Sequence, residues 1–309
     1  MRIVFMGTPE SAVPSLQRLI EDDHKIVAVW TQPDKPAGRG KKTHQTPVKA
    51  FAFEHNLIVH QPQKIRNHDA KQLFASHHAD VAVVVAYGKI LPAEFLNAPK
   101  HGCINVHFSL LPKYRGAAPV NWAIINGEEQ TGVTTMQIVE ELDAGPMLLQ
   151  KATKIGEQET APELMTRLAD MGADLISETL SNLGDIKPKP QDDSEATLAP
   201  ILNRENGLID WSMDAYAIER RVRGLQPWPH AYTQFRSQRL IVWKAMPEWI
   251  EQLRFTPGQV IDAGRDRFIV ACGEGTALRL NEIQPQDSRR MTARDFLNGF
   301  NLKVGELFG

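Results

Sequence analysis

Three polar side chains are spaced so that they can act together on one carbonyl group. Asn105 and His107 lie two residues apart in the apolar run 103–108, which predicts a β-strand. Because residues two apart in a strand point to the same face, we expect the carboxamide and the imidazole to meet near the strand's carboxyl end. Asp143 precedes an Ala-Gly-Pro turn, so a carboxylate on a loop can close on the same place.

This combination of groups suits acyl transfer. An asparagine amide can hydrogen-bond a carbonyl oxygen as it becomes an oxyanion, and losing one such donor costs about 3 kcal/mol of barrier. Histidine exchanges protons near neutral pH, and aspartate orients the imidazole and favours its charged form. No serine or cysteine is obviously placed to attack, which favours direct transfer over a covalent enzyme intermediate. Taken alone, an Asn-x-His pair on a strand is more often structural than catalytic.

The order of the surrounding motifs favours a catalytic role for the pair. Asn105 and His107 are followed by Ser-Leu-Leu-Pro at 109–112, Arg-Gly-Ala-Ala-Pro at 115–119 and Leu-Asp-Ala-Gly-Pro at 142–146. Together these motifs resemble the signature of the folate-dependent formyltransferases, and the resemblance extends over nearly the whole chain. It implies that the asparagine, histidine and aspartate are catalytic. It also implies 10-formyltetrahydrofolate as the formyl donor and no metal.

The resemblance also implies where folate binds. The segment after the apolar strand 81–86 lines the pterin pocket in the family, so Gly88, Ile90 and Leu91 are candidates for folate contact, although a simple strand-to-helix turn is an equal alternative. Arg115 could meet the folate tail, contact a tRNA phosphate or only brace its loop, and the sequence leaves these three open. The segment that contacts tetrahydrofolate in the family corresponds here to Ser109, Leu110, Leu111 and Pro112.

A basic loop suggests a polyanionic substrate. Residues 31–47 carry Lys35, Arg39, Lys41 and Lys42 among glycines and prolines, and we predict no regular element there. Such a loop is commonly a solvated surface turn, and the alternative is contact with nucleic-acid phosphates. This loop, the Met-Gly-Thr-Pro-Glu opening and the Ala-Tyr-Gly-Lys-Ile-Leu-Pro segment resemble the family members that act on methionine-charged initiator tRNA. By that resemblance Arg39, Lys41 and Lys42 are the tRNA-binding candidates.

The order of predicted elements favours an α/β catalytic domain. Apolar strands alternate with helical patterns near the start of the chain, which is typical of a Rossmann-like, mostly parallel sheet. Gly7 stands alone where a dinucleotide site would need G-x-G-x-x-G, which argues against NAD binding. A long amphipathic helix is predicted from Thr160 to Leu183, closing this domain.

The pattern of predicted secondary structure changes after Pro229. Five short β-like runs separated by turns predict a small OB-like barrel, at 232–235, 240–244, 258–261, 268–271 and 277–283. A helix is predicted just before them at 212–223, with Ser212 as its N-cap. We therefore expect a catalytic domain over 1–189, a linker over 190–206 and a tRNA-docking, OB-like domain over 207–309.

Composition sets the remaining expectations. The chain has 309 residues, 42% hydrophobic and 23% charged, which suits a soluble two-domain protein. The net charge of −2 means that tRNA contact must use local patches. The two cysteines form no CxxC motif and fit a reducing cytosol. No apolar run approaches about 18 residues. We expect a cytoplasmic monomer without membrane association.

Two rival functions stay open. Another folate formyltransferase, acting on an amino-sugar nucleotide or on glycinamide ribonucleotide, would use the same three polar residues, and only the basic loop and the second domain favour tRNA. A non-catalytic RNA-binding protein is the rival from another class. That alternative gives no reason for a carboxamide, an imidazole and a carboxylate to converge.

Overall fold

A seven-stranded sheet forms the centre of the first unit in this computed structural model. The structure describes residues 1–37, 42–250 and 255–309. The chain divides into two units. The first comprises Met1–Pro119, Gln130–Lys154 and Met165–Ala199, and the second comprises Val120–Glu129, Ile155–Leu164 and Pro200–Gly309.

The strands are numbered in chain order. Those that begin in the first unit are β1 (Arg2–Gly7), β2 (Lys25–Trp30), β3 (Lys35–Ala37), β4 (Lys42–His44), β5 (Val59–His60), β6 (Val81–Val85), β7 (Cys103–His107), β8 (Arg115–Gly116), β9 (Gln130–Gln137), β10 (Met147–Lys154) and β11 (Leu198–Ala199). Those of the second unit are β12 (Ala231–Phe235), β13 (Gln238–Glu248), β14 (Val260–Gly264), β15 (Arg267–Ala271), β16 (Ala277–Pro285) and β17 (Met291–Thr292).

The α-helices are α1 (Val13–Glu21), α2 (Pro47–Glu54), α3 (His68–Ser76), α4 (Ala93–Asn97), α5 (Pro119–Ile125), α6 (Ala161–Ser181), α7 (Ala215–Gly224) and α8 (Ala293–Phe300). Short 3₁₀ helices occupy Glu10–Ala12, Asp193–Glu195 and Glu205–Gly207. The predicted long helix is confirmed as α6, and Glu163 accepts hydrogen bonds from the Thr160 backbone N–H and hydroxyl at its start.

Neighbouring strands of the large sheet follow the order β10-β9-β7-β6-β1-β2-β5. The strands from β7 to β5 run parallel to their neighbours, and β9 and β10 join antiparallel beside β7. All five residues of β6 are buried, as expected for a valine-rich strand that is covered on both faces. The prediction of a Rossmann-like, mostly parallel sheet is confirmed.

The second unit contains a separate antiparallel sheet. Its strands follow the order β12-β13-β16-β15-β14, and β17 pairs with β16. Each of the five predicted β-like runs corresponds to one of these five strands. The core of this unit contains Phe268 and Phe296, both fully buried, with ring centroids 5.6 Å apart. The predicted fold class, an α/β domain with a mostly parallel sheet followed by a small β domain, is confirmed. The small domain was predicted to be an OB-like barrel, and its strands form an antiparallel sheet.

Two local predictions are wrong. The helix predicted from Ser212 begins at Ala215, and its N-cap is Asp214, whose side chain accepts the Ala217 N–H. The hydroxyl of Ser212 instead donates to Asp210 in the preceding turn. The segment 31–47 does contain regular structure, because β3 and β4 pair antiparallel. A hairpin this short tolerates a proline, since an edge strand leaves some backbone N–H groups unpaired.

Two histidines, His60 and His77, pack against each other and against Trp30 of β2. The Trp30 indole N–H donates to His77 Nε2 at 3.3 Å, and the His77 and His60 ring centroids lie 5.2 Å apart. Burial, reinforced by His60 and by Arg2, lowers the pKa of His77 from 6.5 to about 4. Between these two values the unfolded chain binds a proton that the folded chain does not. Stability is therefore lost as the pH falls through this window.

We predict that His77→Gln flattens the acid side of the stability profile. Glutamine cannot titrate, yet its carbonyl oxygen can still accept the Trp30 N–H. Thermal melts from pH 7 to pH 4 should show a smaller fall in Tm for this variant than for the unmodified protein. The control is His68→Gln, at an exposed helix start, which should keep the original slope. Equal slopes for the unmodified and His77→Gln proteins would contradict the assignment.

Candidate active site

The strand β7 places Asn105 and His107 at the boundary between the parallel and antiparallel parts of the sheet. Asn105 pairs with Val84 of β6 and with Met136 of β9, and His107 pairs with Thr134. Strand alternation puts both side chains on one face. His107 is 5% exposed, whereas Asn105 is partly exposed. The Asn105 carboxamide forms no hydrogen bond with any described residue, so its donors are free for a ligand.

His107 is held between a carbonyl and a carboxylate. Its Nε2 lies 2.8 Å from the Tyr114 carbonyl oxygen, and its Nδ1 lies 3.8 Å from Asp143 Oδ2. Because a carbonyl has no proton to donate, Nε2 must be the donor in that hydrogen bond. The ring nitrogen left for proton exchange is Nδ1, on the side of the carboxylate. When the ring is protonated, Nδ1–H and Asp143 form an ion pair.

Asp143 reaches this position from an irregular loop between β9 and β10. Its backbone has φ +48°, in the left-handed region that aspartate tolerates better than most residues. Its Oδ2 also accepts the Gly116 N–H at 2.9 Å. The turn is completed by Gly145, where an added Cβ would lie 1.8 Å from the Gln137 carbonyl oxygen. The structure thus brings Asp143 to His107 and leaves no room for a side chain at residue 145.

The segment predicted to contact folate is anchored by Thr134. The Thr134 hydroxyl donates to the Ser109 carbonyl at 2.7 Å and accepts the Leu111 N–H at 3.2 Å. Ser109 and Leu111 are buried, and Leu111 packs with two methionines of the core. Leu110 and Pro112 are partly exposed. Of the four predicted residues, these two present side-chain surface to a ligand, and folate contact stays a prediction for all four.

The other predicted folate segment follows β6. Gly88 has φ +80°, so the backbone there takes a turn that favours glycine. The side chain of Ile90 is 65% exposed, which is unusual for isoleucine, whereas Leu91 is 6% exposed and packs in the core. Ile90 is therefore the side chain of this group that is open to a ligand.

Arg115 braces the site. Its side chain is almost fully buried, with Nε donating to Gln191 Oε1 at 2.9 Å and Nη2 to Asp193 at 2.7 Å. Of the three roles that the sequence left open, these contacts support the structural one. Sequence reasoning missed Gln191, whose amide donates to the carbonyl oxygens of Asp143 and Gly145 at 2.7 and 2.8 Å. A polar, proline-rich stretch carries no signal for such a contact.

The side chains of the three predicted tRNA-binding residues are not described by the structure. Arg39 and Lys41 lie outside the described residues. Lys42 begins β4, and the placement of its side chain is not described either. The described ranges contain no group of three or more His, Cys, Asp or Glu side chains arranged as metal ligands. Within those same ranges, no helix has the length and apolar character needed to span a membrane.

Comparison with known proteins defines the class. Residues 1–180 match the family model described as formyl transferase, and residues 201–301 match the formyl transferase C-terminal domain. The chain belongs to the formyl transferase family. This confirms the family resemblance drawn from the motifs around β7.

Particular relatives narrow the class. The methionyl-tRNA formyltransferase of Acetivibrio thermocellus is 46% identical over 311 residues, covering 100% of both chains. That of Caldanaerobacter subterraneus is 49% identical over 310 residues, covering 99% of each. A solved methionyl-tRNA formyltransferase from Clostridium thermocellum shares the fold, with a TM-score of 0.58 at 18% identity, covering 80% of this chain and 93% of that one. The sugar 3N-formyl transferase WlaRD shares it with a TM-score of 0.67 at 18% identity, covering 94% and 99%.

We predict that Gly145→Ala destabilises the first unit. The new Cβ would overlap the Gln137 carbonyl, so the loop that carries Asp143 must move, at a cost of about 2 kcal/mol or more. A thermal melt should show a clearly lower Tm. Gly184→Ala is the matched control, because nothing lies within 4 Å of a Cβ added there. If both variants have the same Tm as the unmodified protein, the loop is not packed as described.

Proposed function

We propose that the chain transfers the formyl group of 10-formyltetrahydrofolate to the α-amino group of methionyl initiator tRNA, giving N-formylmethionyl-tRNA for translation initiation. The observation that carries the proposal is the approach of the Asp143 carboxylate to His107 Nδ1, beside Asn105 on the same strand. Membership of the formyl transferase family and full-length similarity to methionyl-tRNA formyltransferases support this reading of the geometry.

The first step is attack by the α-amino nitrogen on the formyl carbon. An α-amino group has an unperturbed pKa of about 7.7–8.0, so a useful fraction is deprotonated at neutral pH. The attack gives a tetrahedral intermediate with a negatively charged oxygen. The Asn105 amide donates to this oxygen, and protonated His107 stabilises its charge through Nδ1.

Proton movement completes the reaction. The Nε2 proton of His107 is held by the Tyr114 carbonyl, so Nδ1 is the site of exchange. Asp143 supports the charge on the imidazolium and takes the proton from the attacking amine, directly or through water. The bond from the formyl carbon to N10 then breaks, its electron pair returns to N10, and N10 takes up the proton that the amine released. The products are formylated tRNA and tetrahydrofolate.

The substrates use different parts of the chain. Folate is proposed to lie against Leu110, Pro112 and Ile90, the predicted folate residues whose side chains are partly or largely exposed. The tRNA is proposed to contact the basic loop, with Arg39 foremost, and the C-terminal domain over 207–309. The proposed domains otherwise are the catalytic one over 1–189 and a linker over 190–206. We further propose a cytoplasmic monomer, in keeping with two buried, free cysteines.

One assay tests the function against its rivals. The protein is given 10-formyltetrahydrofolate together with methionine-charged initiator tRNA, an amino-sugar nucleotide, or glycinamide ribonucleotide. Formyl should appear on the charged tRNA and on neither of the others. Formylation of a small acceptor instead, or of none, would contradict the proposal.

We predict that Asn105→Ala and Asp143→Ala each lower kcat by at least about 100-fold while the fold persists. Each variant removes a group that stabilises charge in the transition state. Turnover should be measured with saturating folate and charged tRNA, and Tm should be checked in parallel. Asp170→Ala, at an exposed position on α6, is the control and should keep normal turnover. Near-normal kcat in a catalytic variant would refute the role given to that residue.

We also predict that Arg39→Ala raises KM for charged tRNA about tenfold, the effect of losing one phosphate contact worth about 1.4 kcal/mol. Folate KM should not change. Lys25→Ala is the control, because Lys25 is exposed at the amino end of β2, the opposite end of that strand from the basic loop. The measurement is initial rate against tRNA concentration at several salt concentrations. An unchanged KM throughout the salt series would remove Arg39 from the tRNA site.

A further inference from the structure

We propose that Gln191 is a positioning residue, which fixes the Asp143 loop so that its carboxylate faces His107. The inference rests on the proposed function, because it assumes that Asp143 acts in formyl transfer. Gln191 lies in the polar segment 190–199, which the sequence places in a linker, and it touches none of the three polar residues through their side chains.

The first observation is how the Gln191 amide is used. Its Nε2 donates to the carbonyl oxygens of Asp143 and Gly145, at 2.7 and 2.8 Å. Both N–H bonds of the amide are thereby engaged. The two carbonyls flank Ala144, so one side chain clamps the turn on both sides. A loop whose two peptide groups are fixed in this way fixes the Cα–Cβ direction of Asp143 as well.

The second observation is the strain that this clamp offsets. Asp143 adopts φ +48°, a conformation that costs a non-glycine residue about 1 kcal/mol or more. In this conformation the carboxylate accepts the Gly116 N–H and lies 3.8 Å from His107 Nδ1. Relaxing the backbone to a negative φ would turn the carboxylate away from both groups. The amide of Gln191 holds the turn against that relaxation.

The third observation is that Gln191 is itself held. Arg115 Nε donates to Gln191 Oε1 at 2.9 Å, which settles which end of the amide is oxygen, since a guanidinium can only donate. Arg115 belongs to β8, and β8 pairs with β11 at Leu198 and Ala199. The segment around Gln191 is therefore attached at two points to the same turn that supplies the Gly116 N–H. The amide is preorganised, as a positioning group must be.

These contacts predict a loss in rate rather than in binding. Moving a catalytic group by about 1 Å can cost about 100-fold in rate. Asp143 acts on charge that develops after both substrates have bound, so KM should change little. We expect Gln191→Ala to lower kcat 10- to 100-fold with KM values within about twofold of the original.

Two companion variants separate positioning from mere support. Gln191→Glu keeps the size of the side chain and the oxygen that accepts from Arg115, but it has no N–H to donate. It should lose rate like Gln191→Ala, whereas a residue that only anchors Arg115 would tolerate it. Asp193→Ala removes the carboxylate that accepts from Arg115 Nη2 and leaves the amide clamp, so it should keep normal kcat. Tm is measured for every variant. If Gln191→Ala does not fold, the kcat of Gln191→Glu distinguishes a positioning role from a structural one.

The deciding experiment is a double-mutant cycle on formyl transfer to charged tRNA, with Asp143→Asn as the second change. Because Gln191 acts through Asp143, adding Gln191→Ala to Asp143→Asn should lower kcat by less than twofold more. Full additivity, or normal kcat in Gln191→Glu, would overturn the inference while leaving the proposed function intact. An unmodified protein that forms no formylated tRNA would instead overturn the proposed function, and this inference with it.

Discussion

The site depends on one buried imidazole held from both sides. The Tyr114 carbonyl takes the Nε2 proton of His107, and the Asp143 carboxylate faces Nδ1. This arrangement fixes which nitrogen can exchange a proton and places the compensating charge on that side alone. A histidine that was free to rotate or to change tautomer would spend part of its time with the wrong nitrogen toward the substrate. The sheet and the loops around β7 serve to keep this ring in one state.

Three segments far apart in the sequence meet to hold the ring, and Gly116 joins them. Its N–H binds the Asp143 carboxylate, and an added Cβ would lie 2.7 Å from the Ala199 carbonyl oxygen, at φ +122°. Only glycine allows β11 to approach so closely while the peptide N–H points at the carboxylate. The turn after β7, the loop between β9 and β10, and the segment from Gln191 to β11 are thus linked through a few hydrogen bonds. Backbone groups are direct partners of the site's side chains, since the Tyr114 carbonyl binds His107 and the Gly116 N–H binds Asp143.

The sequence predicted what depends on local pattern. Alternation within 103–108 is enough to place Asn105 and His107 on one strand face, and five short β-like runs are enough to indicate the antiparallel sheet of the second unit. Long-range contacts of residues outside the recognisable motifs were not predictable, although the approach of Asp143 to His107 was expected. Gln191 binds the Asp143 carbonyl 48 residues away, and hydrogen bonds of that kind leave no periodic trace. The helix cap shows the same limit at short range, because Ser212 and Asp214 are both good caps and only the turn at Asp210 selects between them.

The most direct test of the account is the tautomer of His107 in solution. Long-range proton–nitrogen correlation spectra of nitrogen-labelled protein, with the signals assigned by a His107→Gln variant, report which ring nitrogen carries the proton. The account predicts that the neutral ring is protonated at Nε2, with Nδ1 free to take a proton beside Asp143. A neutral ring protonated at Nδ1, or a rapid average of the two tautomers, would contradict it.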